Sequence, residues 1–173
     1  MKSFPDIERA FNSLVDSYKC LKNWHITLDT AKRRAGACFP KQKRISISRH
    51  HMELNEPDVI LDTLKHEVAH ALAWESDRSV GHGKIWKQWV IKLGGAPRAT
   101  GRFEVPKAKW LMVLKQDNSL QVIAERHRRQ RNIRQFLLRG QPATKGKLYY
   151  IERAQFDAWS QGKLSLTEAE LWQ

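Results

Sequence analysis

Cysteine is scarce in this sequence, and long hydrophobic runs are missing from it. The 173 residues include two cysteines, Cys20 and Cys38, and neither belongs to a CxxC pair, so no cysteine-based metal ribbon or redox motif is indicated. Acidic and polar residues interrupt every apolar stretch of the first twenty residues, so we expect no export and therefore no disulfide. We expect both cysteines to be small buried apolar residues. No apolar run approaches the roughly 20 residues of a membrane span, which predicts a cytoplasmic protein without membrane contact.

Acidic residues are also few. Asp and Glu number 18 against 31 Lys and Arg, which gives a formal net charge of +13. Such a surplus favours a polyanionic partner such as nucleic acid, because neutralising phosphates releases condensed counterions. The alternative is a merely basic soluble protein. Hydrophobic residues make up 41% of the chain, and this fraction and the length predict one globular domain, or one domain with a small appendage.

Hydrophobic periodicity predicts an α+β fold in two parts. In residues 1–104 we expect three main helices and a small antiparallel sheet: helices over 4–22, 57–74 and 84–93, and strands over 24–28, 35–39 and 44–48. Residues 105–173 are predicted to form a basic, β-rich appendage, with strands over 109–115, 120–125, 133–138 and 147–151 and short helices at the end. His50 and His51 precede the helix that opens at Pro57, and we interpret them as surface residues.

The main chemical signal is the sequence His66-Glu67-Val68-Ala69-His70 inside the second of these helices. Residues four apart lie on one helix face, so both imidazoles can reach one Zn²⁺ at about 2.0–2.1 Å. A glutamate beside the first histidine can take a proton from the attacking water without being a ligand. The alternative is a pair of solvated histidines on an exposed helix face. The residues that border this face, such as Leu64, Val68 and Leu72, are apolar, so the histidines should be partly buried. Buried polar groups need partners, and a metal ion supplies one.

A catalytic zinc usually has three protein ligands and an open position. The extended HExxHxxGxxH pattern is absent, since Ala73 and Ser76 occupy the positions of its glycine and third histidine. Other zinc peptidases take a glutamate from a second helix as the third ligand. The first acidic residue after the helix over 84–93 is Glu104, but it lies beyond Pro97, where the composition changes, and is therefore a poor candidate for that ligand. The best candidate is His82, which follows His70 by twelve residues in a glycine-flanked turn before the next helix. A polar residue at a helix start is the alternative interpretation of His82.

Several motifs in order resemble the SprT-like zinc metallopeptidase family, which includes the Spartan proteases. They are Thr63 to Ala71 around the HExxH motif, His82 to Lys87, and Leu93-Gly94, within a resemblance over roughly residues 5 to 115. The resemblance implies a zincin-like minimal peptidase domain, with zinc on His66, His70 and His82 and with Glu67 as general base. It also implies DNA-stimulated cleavage of proteins attached to DNA, as in the repair of DNA–protein crosslinks.

Many bacterial members of this family continue into a zinc ribbon built on two cysteine pairs. Residues 109–148 follow the outline of that ribbon but contain no cysteine, so we expect a metal-free relic held by apolar packing. Arginine pairs well with phosphate through its planar fork. We therefore expect DNA contact without base reading by Arg126, Arg128, Arg129, Arg131 and Arg134. The basic stretch from Lys32 to Arg49 is the alternative surface, and a solvated charged face is the third interpretation.

Three functions compete at this stage. The leading one is a monomeric zinc endopeptidase that acts on DNA-associated proteins. The runner-up is a non-enzymatic DNA-binding protein with a structural zinc, which Glu67 argues against because a closed structural site has no use for that carboxylate. A peptidase that acts on a regulator without DNA is disfavoured by the net charge.

Overall fold

The computed structural model describes residues 3–173 and shows a mixed α+β protein. The chain divides into two compact units between Pro106 and Lys107. The helices are α1 (Phe4–Ser17), α2 (Arg49–Leu54), α3 (Pro57–Asp77), α4 (Lys84–Lys92) and α5 (Arg153–Ser160). The strands are β1 (His25–Asp29), β2 (Gly36–Phe39), β3 (Arg44–Ser48), β4 (Trp110–Gln116), β5 (Ser119–Arg126) and β6 (Leu148–Glu152).

The first unit packs α1 and α3 on a three-stranded sheet of order β1-β3-β2. Its core is aliphatic, with Ile45 and Ile47 of the central strand fully buried against Leu64 and Val68 of α3. Pro57 stands in the first turn of α3, where its missing N–H costs nothing. The helix ends at Asp77, because the next residue, Arg78, has a left-handed backbone (φ 51°) that does not continue the helix.

The second unit is built on an antiparallel sheet of order β5-β4-β6. Alternate residues of the central strand β4 point to opposite faces, so its buried positions serve two clusters. Leu111 and Val113 pack with Ile151, whereas Leu114 packs with Leu148 and Tyr150. Tyr150 also exchanges two backbone hydrogen bonds of 2.8 Å with Trp172, which attaches the last residues to the sheet edge.

The structure corrects several local predictions. The first sheet is mixed and not wholly antiparallel, because β1 runs parallel to β3. The first helix stops at Ser17 and a 3-10 turn, Lys19–Leu21, follows. The strand predicted over 133–138 is wrong: Asn132 has a left-handed backbone (φ 61°) and Ile133–Gln135 form a 3-10 turn.

Two predictions of exposure are also wrong. His51 is buried at 2% exposure, although we expected it on the surface. Cys20 is exposed and Cys38 is partly buried, whereas we expected two buried thiols; no disulfide joins them. Within residues 3–173, no helix has the length and apolar character that a bilayer crossing requires.

Candidate metal centre

Three histidine rings converge at one point on the surface of α3. His66 and His70 are one helical turn apart, and His82 comes from the turn between α3 and α4. The Nε2 atom of His82 lies 3.0 Å from that of His66 and 3.2 Å from that of His70. The twelve-residue return through a short loop therefore brings the third predicted ligand to the other two.

The donor set fits a divalent metal. Three nitrogen ligands at about 2.0–2.1 Å in a tetrahedral arrangement are separated from one another by roughly 3.3 Å, close to the spacing seen between these Nε2 atoms. Burial, together with the charges of His66 and His82, lowers the pKa of His70 to about 3. Burial, and after it the charge of His82, also lowers the pKa of His66. Neutral imidazoles are the form that binds metal.

Trp86 of α4 packs under the three rings. Its side chain is fully buried, and its ring centroid lies 4.7 Å from that of His66, 5.4 Å from His70 and 4.5 Å from His82. The indole Nε1 donates to the backbone oxygen of His66 at 3.3 Å. One tryptophan thus limits the rotation of all three imidazoles. Sequence reasoning missed this role, since Trp86 reads only as a core residue of α4.

Glu67 is enclosed between α3 and the edge strand β2. The residue is 8% exposed, and burial raises the pKa of its carboxyl to about 7, opposed by the charge of Arg34 and by the backbone N–H of Cys38. A Cβ on Gly36 would lie 2.9 Å from Glu67 Cγ and 3.0 Å from the Ser46 oxygen. The glycine at 36 is what lets the carboxyl lie this close to the strand.

A cleft of about 1040 Å³ contains the histidines and Glu67. One part of its lining is the chain from Arg33 to Ala37, which leads into β2, and another is the segment from Ala96 to Phe103. Arg34 is held in the first of these segments by an ion pair of 2.7 Å with Asp29. The site therefore places three histidines that could hold a metal and a carboxyl of raised pKa in one cleft.

The predicted arginines lie in the second unit, and most of them are exposed. Arg128, Arg129, Arg131 and Arg134 are exposed and Arg126 is partly buried. The Arg129 guanidinium lies over two indole rings that are nearly perpendicular to each other, 4.5 Å from the Trp110 ring centroid and 4.1 Å from that of Trp172. A cavity of about 610 Å³ opens beside these rings, lined also by Arg128 and Arg131. Sequence reasoning did not connect Trp172 with these arginines.

The fold and the histidine cluster define an α+β protein with a candidate metal centre on an HExxH helix. Residues 6–107 match the SprT-like family, and the chain therefore belongs to that family. The family is metallopeptidase-like and typically associated with zinc.

Two curated relatives match a little less than half of the chain. A germ cell nuclear acidic protein of Drosophila melanogaster is 35% identical over 83 residues, which are 45% of this chain and 8% of that protein. Protein SprT of Klebsiella pneumoniae strain 342 is 32% identical over 78 residues, or 43% of this chain and 46% of that protein. The match thus spans less than half the length of either relative. No solved structure gives a significant match.

Proposed function

We propose that this chain is a zinc-dependent endopeptidase of the zincin type that cleaves proteins associated with DNA. The observation that carries the proposal is the convergence of three histidine Nε2 atoms beside the buried carboxyl of Glu67 in an open cleft. His66, His70 and His82 would hold the zinc. A purely structural site would close its fourth position with another protein ligand, and among residues 3–173 only these three histidines cluster at metal-ligand distance.

Bound zinc supplies Lewis-acid activation of the scissile carbonyl and of water. The protein's own contribution is proton transfer by Glu67. Its carboxylate accepts a proton from the attacking water as the new C–O bond forms, and it then delivers that proton to the leaving nitrogen as the C–N bond breaks. In the metal-free protein burial raises the pKa of Glu67 to about 7, so its carboxyl is a stronger base than an exposed glutamate.

The association with DNA rests on the second unit. Residues 107–173 contain thirteen Lys or Arg against six acids, and the arginines from 126 to 134 share one short segment. The contacts of the Arg129 guanidinium with two indole rings restrict its motion, so that binding a phosphate there costs less entropy than binding by a mobile side chain. The name of the Drosophila relative records a nuclear protein, a compartment shared with DNA. We propose that the protein works as a cytoplasmic monomer on proteins bound or crosslinked to DNA.

A cleavage assay with matched substrates tests this proposal. The zinc-loaded chain is incubated with a protein crosslinked to a DNA oligonucleotide and with the same protein free of DNA. We expect cleavage of the crosslinked protein, faster than that of the free protein, and its loss on addition of a chelator. Glu67→Gln should retain zinc and lose cleavage, because an amide does not accept the proton from water.

Three other outcomes of this assay would each contradict a different part of the proposal. A Glu67→Gln variant that cleaves as fast as the wild type would remove Glu67 from the mechanism. A zinc-loaded wild type that binds DNA but cleaves neither substrate would replace the peptidase by a DNA-binding protein with a structural zinc. Equal cleavage of both substrates would leave a peptidase that acts without DNA.

A further inference from the structure

A segment without helix or strand forms one wall of the cleft. We call residues 95–104 the strap. Its middle is exposed from Pro97 to Arg102, and within that stretch the described backbone makes a single hydrogen bond, from the Arg98 N–H to the Ala96 oxygen. The position of the strap over the cleft is therefore decided by the contacts at its two ends.

The first end is attached to α3. The Ala96 N–H donates to the Asp62 carboxylate at 3.2 Å, and the Lys65 ammonium donates to the Gly94 oxygen at 3.0 Å. Gly95 lies so close to the helix bundle that an added Cβ would be 3.2 Å from Val90 Cγ1. This end of the strap is packed as well as hydrogen-bonded.

The second end depends on one buried amide. Asn55, which is 7% exposed, accepts from the Glu104 N–H through Oδ1 at 2.7 Å and donates to the Glu104 oxygen through Nδ2 at 3.0 Å. This pairing mimics two adjacent ladder bonds of a sheet. Asn55 therefore satisfies both backbone groups of one strap residue, and no apolar side chain of similar size can do so.

A buried histidine orients that amide. Asn55 Nδ2 also donates to the His51 backbone oxygen at 2.9 Å and lies 3.1 Å from His51 Nδ1. His51 Nε2 lies 3.0 Å from Thr63 Oγ1, whose hydroxyl donates to the Val59 oxygen. The Phe103 ring adds an edge contact to His51, with centroids 5.1 Å apart.

We infer that Asn55 and His51 are positioning residues, which hold the strap as a substrate-binding wall of the cleft. The inference rests on the proposed peptidase function and names no new catalytic group. Asn55 and His51 hydrogen-bond to each other, to Glu104 and to Thr63, so their effect reaches the reaction through the strap. Loosening this end of the strap should weaken substrate binding while proton transfer at Glu67 continues.

Kinetics on Asn55→Ala test the inference in the zinc-loaded full chain. We expect KM to rise by about tenfold, the scale of removing one buried hydrogen-bonded group, while kcat stays within about twofold and zinc content is unchanged. Asn55→Asp keeps an acceptor for the Glu104 N–H and should give an intermediate KM. Thr144→Val, which removes a comparably buried hydroxyl from the other unit, is the matched control and should leave KM unchanged.

Trypsin provides a readout that does not need peptidase activity. Arg98 and Arg102 lie in the exposed part of the strap, and we expect them to be cut about tenfold faster in Asn55→Ala than in the wild type or in Thr144→Val. Unchanged tryptic rates, or a fall in kcat with KM unchanged, would overturn the inference. A wild type that cleaves no substrate would overturn both the peptidase proposal and the kinetic role of the strap. In that case the tryptic rates would still decide whether Asn55 fixes the position of the strap.

Discussion

At the scale of single residues, Glu67 is a buried carboxyl whose surroundings disfavour the ionised form. Burial raises the pKa of Glu67 to about 7 from an ordinary 4.5. In the metal-free protein, the folded state therefore keeps a proton between these two pH values that the unfolded state releases. The stabilising contribution is complete below about pH 4.5 and is lost as the pH rises through 7.

The Glu67→Gln variant should reveal this cost, because glutamine stays neutral at every pH. With a chelator present, we expect the variant to have a free energy of unfolding about 3 kcal/mol higher than that of the wild type at pH 8, and nearly the same at pH 4.5. Urea unfolding at both pH values measures the difference. The same change at the exposed Glu8 is the control and should show no such trend. A constant difference at both pH values would contradict the burial argument.

Gly36 makes a second prediction at this scale. Gly36→Ala would bring a Cβ to 2.9 Å from Glu67 Cγ and 3.0 Å from a backbone oxygen, so the carboxyl must shift. We expect cleavage to fall at least about tenfold with zinc content unchanged, since small misplacements of catalytic groups cost up to about a hundredfold. Gly83→Ala is the control, because open space surrounds Gly83 and its φ of −70° suits alanine. Equal activity of the two variants would show that Gly36 does not position Glu67.

At the scale of elements, the centre joins one regular helix to one irregular turn. The geometry of α3 places His66 and His70 on one face, whereas His82 depends on the loop after α3 and on the start of α4. Trp86 links the two, because it belongs to α4 and contacts all three rings. The ligand set is therefore only as rigid as the packing of α4 on α3.

Zinc titration of single variants tests the three ligands. Alanine at His66, His70 or His82 should weaken zinc binding by more than the about 10–100-fold that the loss of an outer-shell partner costs. His25→Ala is the control, since His25 is exposed on β1 and outside the cluster. Full zinc affinity in His82→Ala would mean that the third ligand has been misassigned, whatever the result for the other two.

At the scale of the whole molecule, two basic surfaces are candidates for DNA. In the second unit, Arg128, Arg129 and Arg131 line the cavity beside Trp110 and Trp172. In the first unit, the alternative surface is the basic stretch from Lys32 to Arg49, where two charged side chains already have partners. Lys43 pairs with Glu75 at 3.6 Å, and the Arg44 guanidinium lies 3.9 Å from the Phe39 ring centroid. We propose the second unit as the phosphate-binding surface, because five of its arginines lie within residues 126–134.

Salt titrations decide between these surfaces. Neutralising Arg126, Arg128, Arg129 and Arg131 together should flatten the dependence of log K on log salt, by about 0.9 on duplex DNA or about 0.7 on a single strand for each phosphate that the protein no longer neutralises. Zinc content should not change. The matched variant, neutral at Lys41, Lys43 and Arg44, should keep the wild-type slope. The reverse pattern would move the interface to the first unit, and a wild type without affinity at low salt would remove DNA from the proposal.

The sequence by itself determined the local chemistry. The HEVAH spacing, the proline that opens α3 and the glycines around His82 act within a turn or two of chain, where backbone geometry decides which side chains share a face. The sequence also selected His82 as the third histidine of the site. Three features were decided only by the tertiary structure: the burial of Glu67 against Gly36, the insertion of His51 beside Asn55, and the contact of Arg129 with Trp172. Each depends on how separate elements pack together, and burial and pKa follow from that packing, which no local pattern records.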